Sequence, residues 1–340
     1  MVKAMLKFSG ASRSALWLLL LIGLLMLVLP ACGGGEDDDD SADDDAADDD
    51  MIAGDDDDDD VTPDDDDNTP DDDDTPDDDT LDDDTGDDDT TPELPGTKSP
   101  IVLMHGFFGW GDVGAFSYFA GVVNDLEREG FDVFEPAVSP INSMETRAEQ
   151  WVEEINARYP NQKINIIAHS QGGLDARYMI STLGWGDRVD ALVTVSTPHY
   201  GTAIADIATG IIPGFAQDII DWIMNMFGLD WDGIAQLTHE YVEETFNPAN
   251  PDDPRVTYYS YQTDAEDNCF FMLEPTHFLI GLFDGANDGV VPTESARYGI
   301  ELGVESADHW SIIGQPVGLA NFDHKAFYRE IAYFLKDEGF

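Results

Sequence analysis

Basic residues are scarce in this chain: 15 Lys and Arg stand against 72 Asp and Glu, a formal net charge of −57 over 340 residues. Such a balance repels phosphate backbones and anionic membrane surfaces, so nucleic acid is excluded as a partner and electrostatic docking on acidic lipid is disfavoured. Cysteine is also nearly absent. Only Cys32 and Cys269 occur, which rules out a disulfide framework, and Cys269 has no partner left if Cys32 is used elsewhere. No apolar run is long enough for a membrane span; the longest, Ala15 to Leu29, has the length of a signal-peptide core.

What the chain does have is a serine on a predicted strand-to-helix turn. Ile164 to Ala168 reads as a buried strand, His169-Ser170-Gln171-Gly172-Gly173 as a turn, and Leu174 to Ile180 as a helix. That is the context of a nucleophile elbow, in which small neighbours let helix and strand backbones close on each other. The usual first glycine is Ala168 here, a change of one methyl group. An earlier strand, Ser99 to Met104, runs into His105-Gly106-Phe107-Phe108-Gly109, a turn able to aim backbone N–H groups into a site. The Phe107 and Gln171 amides are the expected oxyanion donors, with His105 bracing the loop. After the elbow, Val189 to Ser196 reads as a further strand closed by Thr197-Pro198-His199-Tyr200-Gly201, a turn in which His199 is expected to be structural. Alternation of strand and helix predicts an α/β fold with a mostly parallel sheet covered by helices on both faces.

A serine nucleophile needs a base, and the base an orienting acid, in the chain order Ser, Asp, His for this architecture. Asp288 fits the acid best. It lies in Asp284-Gly285-Ala286-Asn287-Asp288-Gly289 after the apolar Phe278 to Phe283, which reads as a strand ending at the turn, with Asp284 as the neighbouring rival. Two histidines follow, His309 and His324, and spacing does not choose between them. His324 precedes Phe327, Ile331 and Phe334 at helical spacing, which puts it in the first turn of a terminal helix.

From about residue 98 to 336 the chain resembles the bacterial triacylglycerol lipases of the foldase-dependent type. The resemblance rests on an ordered set: His105 to Gly109, His169 to Gly173 with Arg177-Tyr178, Pro198 to Gly201, Asn287-Asp288-Gly289, and His309 with Gln315, Gly318 and Leu319. It implies the α/β-hydrolase fold, the triad Ser170, Asp288 and His309, hydrolysis of acyl esters of lipids, and a foldase as possible partner. The same fold also serves short-chain carboxylesterases and acyltransferases, and a non-enzymatic reading is an acidic surface adhesion lipoprotein. In that lipase type an aspartate two residues after the catalytic histidine helps to hold a structural calcium. Ser311 stands there, a neutral oxygen in place of a carboxylate, so neither metal nor other cofactor is expected.

Between Tyr200 and Pro254 the alternation lapses, as it does where a cap is inserted; the cap is placed at about 200–254. Over 215–227 the residues Phe215, Ile219, Trp222, Ile223 and Met226 form a broad apolar arc opposite Gln217, Asp218, Asp221 and Asn225. With Phe108 they are the expected substrate-facing cap residues, and the arc is the expected lid. A second cap helix is read over Gln236 to Phe246.

At the N-terminus Lys3, Lys7 and Arg13 precede the apolar run, which ends in Leu29-Pro30-Ala31-Cys32. This resembles a bacterial lipobox and implies a signal peptide at 1–31, lipidation of Cys32, and export to the outer membrane or cell surface. Residues 36–91 hold 33 Asp and one Glu with no Lys or Arg. Such a tract cannot bury a core, so 32–92 is expected to be an extended tether and 93–340 the catalytic domain. Removing those 34 acids leaves 38 against the 12 basic residues from Glu93 onward, a net charge of −26.

Overall fold

A computed structural model of the chain describes residues 96–107, 117–215, 217–226, 231–316 and 320–340. The segments read above as signal peptide, Cys32 and acidic tract lie outside these residues, as do Phe108, Gly318 and Leu319. Residues 90–340 form one compact unit.

Its frame is a six-stranded parallel sheet. The strands are β1 (Ile101–Met104), β2 (Val133–Phe134), β3 (Ile164–His169), β4 (Val189–Val195), β5 (Thr257–Thr263) and β6 (Ile300–Glu305). They lie in the order β2-β1-β3-β4-β5-β6, with every pairing parallel. β1 and β3 are buried at every position, which explains why they read as unbroken apolar runs: a central parallel strand is covered on both faces. Successive residues serve opposite cores. Ile101 and Leu103 face α1 (Val122–Arg128) and α8 (His324–Asp337), while Val102 and Met104 face α2 (Met144–Arg158) and α3 (Gln171–Ser181).

The cap occupies the connection from β4 to β5. It comprises α4 (Ala203–Ala208), α5 (Gln217–Met226), α6 (Trp231–Ala235) and a helical stretch over 239–249 whose centre, Val242–Phe246, is a π-turn. The second cap helix therefore starts at His239, not Gln236. The Thr238 hydroxyl caps it by accepting from the Tyr241 amide, while the Gln236 side chain is spent on the Met144 amide and Glu145.

One element reverses the sequence expectation. The run Phe278 to Phe283 is not a strand but the end of α7 (Glu274–Phe283), with Pro275 in its first turn. It reads as a buried strand because it is apolar all round, although only Thr276 and Ile280 are buried. Among the described residues no helix is long and apolar enough to cross a membrane.

Candidate active site

Ser170 stands between β3 and α3 with φ 58° and ψ −134°, a conformation a non-glycine residue holds only when its surroundings dictate it. Those surroundings are close-packed. The Ser170 amide donates to Val195 O on β4 at 3.0 Å, and the Thr197 hydroxyl donates to Ser170 O at 2.8 Å. A Cβ on Gly172 would sit 2.5 Å from Met104 O, and one on Gly173 2.2 Å from Thr197 Oγ1. These two glycines let α3 start against β1 and β4. Ala168, at the departed position, is fully buried within β3, where its methyl is accommodated.

The acid turn and the histidine loop close on the serine from the far side. His309 Nε2 lies 3.0 Å from Ser170 Oγ, and His309 Nδ1 lies 2.8 Å from Asp288 Oδ2. An ionised carboxylate only accepts, so Nδ1–H donates to Asp288 and Nε2 is left to accept the serine proton. Asp288 is held without slack. Oδ1 accepts from the Val290 and Val291 amides at 3.0 and 2.7 Å, Oδ2 also accepts from the Thr263 hydroxyl at 2.7 Å, and its own carbonyl accepts from the His309 amide at 2.9 Å. Burial alone would push this carboxyl up. The charge and hydrogen bond of His309, with the Val291 amide and the Thr263 hydroxyl, outweigh burial and hold it below the ordinary carboxylate value. Such a relay can raise the nucleophilicity of Ser170 and stabilise the imidazolium that follows.

Asp284, the rival acid, points elsewhere: it accepts from the Ala203 amide at 3.0 Å and approaches His239 at 3.8 Å. His324 begins α8, with Nε2 donating to Ala120 O at 2.7 Å. His199 is fully buried, stacked on Tyr298 with centroids 4.2 Å apart, and bonded to Thr194 Oγ1; burial, then the nearby Arg177 charge, lowers its pKa well below the usual value. His169 is likewise buried and kept neutral by desolvation and by His309, with Nδ1 on the Tyr118 hydroxyl at 2.7 Å.

The expected oxyanion loop lies against the serine: a Cβ on Gly106 would fall 2.5 Å from Ser170 Cβ. Its orientation is fixed from behind. Arg147, fully buried on α2, donates from Nη2 to His105 O at 2.6 Å and Gly106 O at 3.3 Å, and from Nε to Asp175 Oδ2 on α3 at 2.7 Å. His105 Nδ1 donates to Gly106 O at 2.8 Å and its Nε2 accepts from the Val138 amide; burial, then Arg147, lowers its pKa to about 3, so it is a neutral brace. In a trans peptide the C=O and the next N–H point opposite ways. Anchoring Gly106 O therefore sets the direction of the Phe107 N–H. Gln171 is the first residue of α3, where amides have no helical acceptor and the dipole is positive.

Above the serine is a cavity of about 290 Å³. Its wall includes Phe107, Tyr118, Ile204, Leu237, Val291 and Trp310. The cap residues expected from sequence are placed differently. Phe215 and Trp222 pack against the cap core formed by Ile204, Met224 and Ile280 among others, and the described cap residues that reach the cavity are Thr202, residues of α4 and α6, and Leu237. Ile219, Ile223 and Met226 lie on α5, but their side chains are outside the described ones. Sequence reasoning also missed Tyr118, Arg147, Asp175 and Thr263, since no local pattern marks a residue whose partner lies far away in the chain.

A calcium at the position suggested by the lipase resemblance does not fit. Asp308, the carboxylate beside Ser311, is filled by protein donors: the Trp310 and Ser311 amides on Oδ1, the Phe270 amide and Ser311 hydroxyl on Oδ2. Among the described residues no group of three or more His, Cys, Asp or Glu side chains is gathered as a metal site.

Comparison with known proteins agrees with this architecture. Residues 99–223 match the family described as the alpha/beta hydrolase fold. A triacylglycerol lipase of Vibrio cholerae is 29% identical over 72% of this chain and 89% of its own length, and one of Pseudomonas fragi is 34% identical over 60% of this chain and 83% of its own. Among solved structures, a mature lipase of Bacillus licheniformis superposes with a TM-score of 0.57 at 20% identity, covering 72% of this chain and 94% of that one. The chain belongs to the bacterial lipases of the α/β-hydrolase superfamily and is a carboxylic ester hydrolase.

Proposed function

We propose that this enzyme hydrolyses acyl esters of triacylglycerol or related lipids through an acyl-enzyme on Ser170. His309 Nε2 takes the hydroxyl proton as Oγ attacks the ester carbonyl. The Phe107 and Gln171 amides hold the oxyanion, and His309 returns the proton to the departing alkoxide. Water, activated by the same imidazole, then releases the fatty acid. The observation that carries this reading is the unbroken Asp288–His309–Ser170 relay, at 2.8 and 3.0 Å, at the base of an apolar cavity. Ser170→Ala tests it: hydrolysis and fluorophosphonate labelling should both be abolished with the thermal transition unchanged, and a labelled variant would refute it.

The named activity of the Vibrio and Pseudomonas relatives supports triacylglycerol as the substrate class. The cavity volume favours a second reading, a short-chain carboxylesterase, because about 290 Å³ is at the small end of ligand pockets, roughly 300–1,000 Å³. Turnover on esters of graded chain length separates the two.

The N-terminal sequence supports export: residues 1–31 act as the signal peptide, Cys32 carries the lipid, and the acidic tract joins it to the catalytic domain at the outer membrane or cell surface. An intact mass showing an unmodified Cys32 would reject the anchor. Foldase dependence follows only from the lipase resemblance, and refolding of the purified chain to full activity without a partner would reject it.

A further inference from the structure

Of the large apolar side chains exposed among the described residues, half come from one window, residues 271–283. Phe271 is 68% exposed, Leu282 59% and Phe278 51%, with Met272 and Phe283 beside them. Phe278 and Leu282 are four apart on α7 and share one helical face, and Phe271 and Met272 lie in the turn just before it. The opposite face is already used, since Ile280 packs into the cap core. A surface helix normally turns charge outward. Between Glu274 and Asp284 this one has no Asp, Glu, Lys or Arg.

The patch is continuous with the cavity. Trp310, adjacent to His309 and part of the cavity wall, meets Phe270 with ring centroids 5.9 Å apart, and Phe270 meets Phe271 at 4.6 Å. On the cap side Phe215 approaches Phe283 at 6.3 Å. An aromatic path thus runs from the cavity wall to exposed Phe271, in the turn that leads into α7. Its chemistry also selects a partner. Interfacial helices that bind anionic lipid carry Lys and Arg on the polar face, whereas this one has none and its domain has a net charge of −26.

We propose that the Phe271, Met272, Phe278, Leu282 and Phe283 face docks the enzyme on the surface of an uncharged ester aggregate, setting the cavity against its substrate phase. This rests on the ester-lipase reading above. It assigns surface binding to α7 and the turn before it, not to the 215–227 arc of the cap.

The test compares residues 32–340 with the same chain carrying Phe278→Gln and Leu282→Gln. Cys32→Ser is present in every arm so that no acyl anchor contributes, and nothing of the described fold is removed. A control carries Ile300→Gln and Val304→Gln, equally exposed on β6. Flotation with triolein emulsion reads docking, and p-nitrophenyl butyrate below its solubility limit reads the relay. The α7 variant should lose about tenfold or more in emulsion partition and emulsion turnover, keep its soluble-ester turnover, and leave the control at wild-type level. Equal flotation of wild type and α7 variant overturns the proposal. So does equal binding of the wild type to phosphatidylglycerol vesicles, which removes the uncharged-surface preference, or a wild-type dimer that the α7 change makes monomeric, which makes a second copy the occupant. Loss of soluble-ester cleavage in the wild type would instead reject the hydrolase reading, and flotation still decides docking.

Discussion

Arg147 offers the sharpest test of how the site is held. It has no exposed surface, and its guanidinium joins three segments: Asp175 on the nucleophile helix, the His105 and Gly106 carbonyls of the oxyanion loop, and Ser139 O. Arg147→Met removes the cation and leaves the Asp175 carboxylate buried with Trp151 Nε1, at 3.2 Å, as its remaining named donor. Breaking a buried pair from one side costs about 3–5 kcal/mol. For a domain of this size that is a fall of roughly 10 °C in melting temperature. The second effect is on rate. With Gly106 O released from Arg147, only the neutral His105 ring still restrains the peptide that carries the Phe107 N–H. Misaiming one of two oxyanion donors should cost about 10²-fold in kcat.

Stability and rate can be separated. In Arg147→Met with Asp175→Leu no unpaired charge remains, so most of the melting temperature should return, whereas the peptide is still unheld and kcat should stay low. Thermal melts and single-substrate kinetics on a soluble ester read the two independently. If the double variant recovers rate along with stability, Arg147 is only a structural cation and the positioning argument fails.

Asp288→Asn should lower kcat by about 10⁴ by presenting the wrong hydrogen-bonding partner to His309, while Asp284→Asn should stay within about tenfold of wild type; steady-state kinetics on both would expose a swapped assignment. His309→Ala should be as damaging as Ser170→Ala and add nothing to it in the double variant, whereas His324→Ala should lower the melting temperature and spare turnover. Gly172→Ala should destabilise or misfold the elbow, because its Cβ would meet Met104 O at 2.5 Å; a normal melt and normal labelling would contradict the packing. The hydrogen bond that His239 Nδ1 donates to Asp206 raises the His239 pKa against burial, helped by the charges of Asp206, Asp284 and Glu243. Folded-state protonation is therefore favoured, and this contribution to stability is complete below about pH 6.5 and lost as pH rises through the raised value; His239→Gln should flatten that decline in melts taken from pH 5 to 9.

The parts of the site legible in sequence are those in which chemistry demands a local pattern. A strained serine between a buried strand and a helix requires small neighbours within a few residues, and a loop that aims amides requires Gly106. The sequence favours Asp288 as the acid but leaves Asp284 as a rival, because the two share one turn and differ in what the rest of the chain brings to them. Thr263 at the end of β5 reaches Asp288 and not Asp284, and β5 itself was not read. Its sequence, Thr-Tyr-Tyr-Ser-Tyr-Gln-Thr, looks amphipathic, yet Ser260, Gln262 and Thr263 are buried, with Gln262 bonded to Ser260. β6 was missed for the opposite reason. It is an edge strand with exposed Ile300 and Val304, so it lacks the unbroken apolar character of the centre. Arg147 and Asp175, 28 residues apart, read as ordinary helix-surface charges until α2 and α3 are packed together.

The departure of the elbow from its usual glycine pattern has a physical explanation in where crowding falls. Gly172 and Gly173, two and three places after the serine, face the Met104 and His105 backbone and the Thr197 side chain, 2.2 to 3.0 Å from any added Cβ. No side chain fits there. Ala168, two before the serine, is still inside β3, opposite Met104 and Thr194 in register, and its Cβ points out of the pleat into the core shared with Met179 and Ile180 rather than toward another backbone. A methyl at that place adds buried apolar surface and costs no backbone approach. The same reasoning accounts for Gly106: its missing Cβ is what lets the amide-bearing loop come within contact of Ser170. The glycines this active site cannot exchange are therefore those where one backbone meets the nucleophile or its helix, and the one it has exchanged lies where strand packing alone decides.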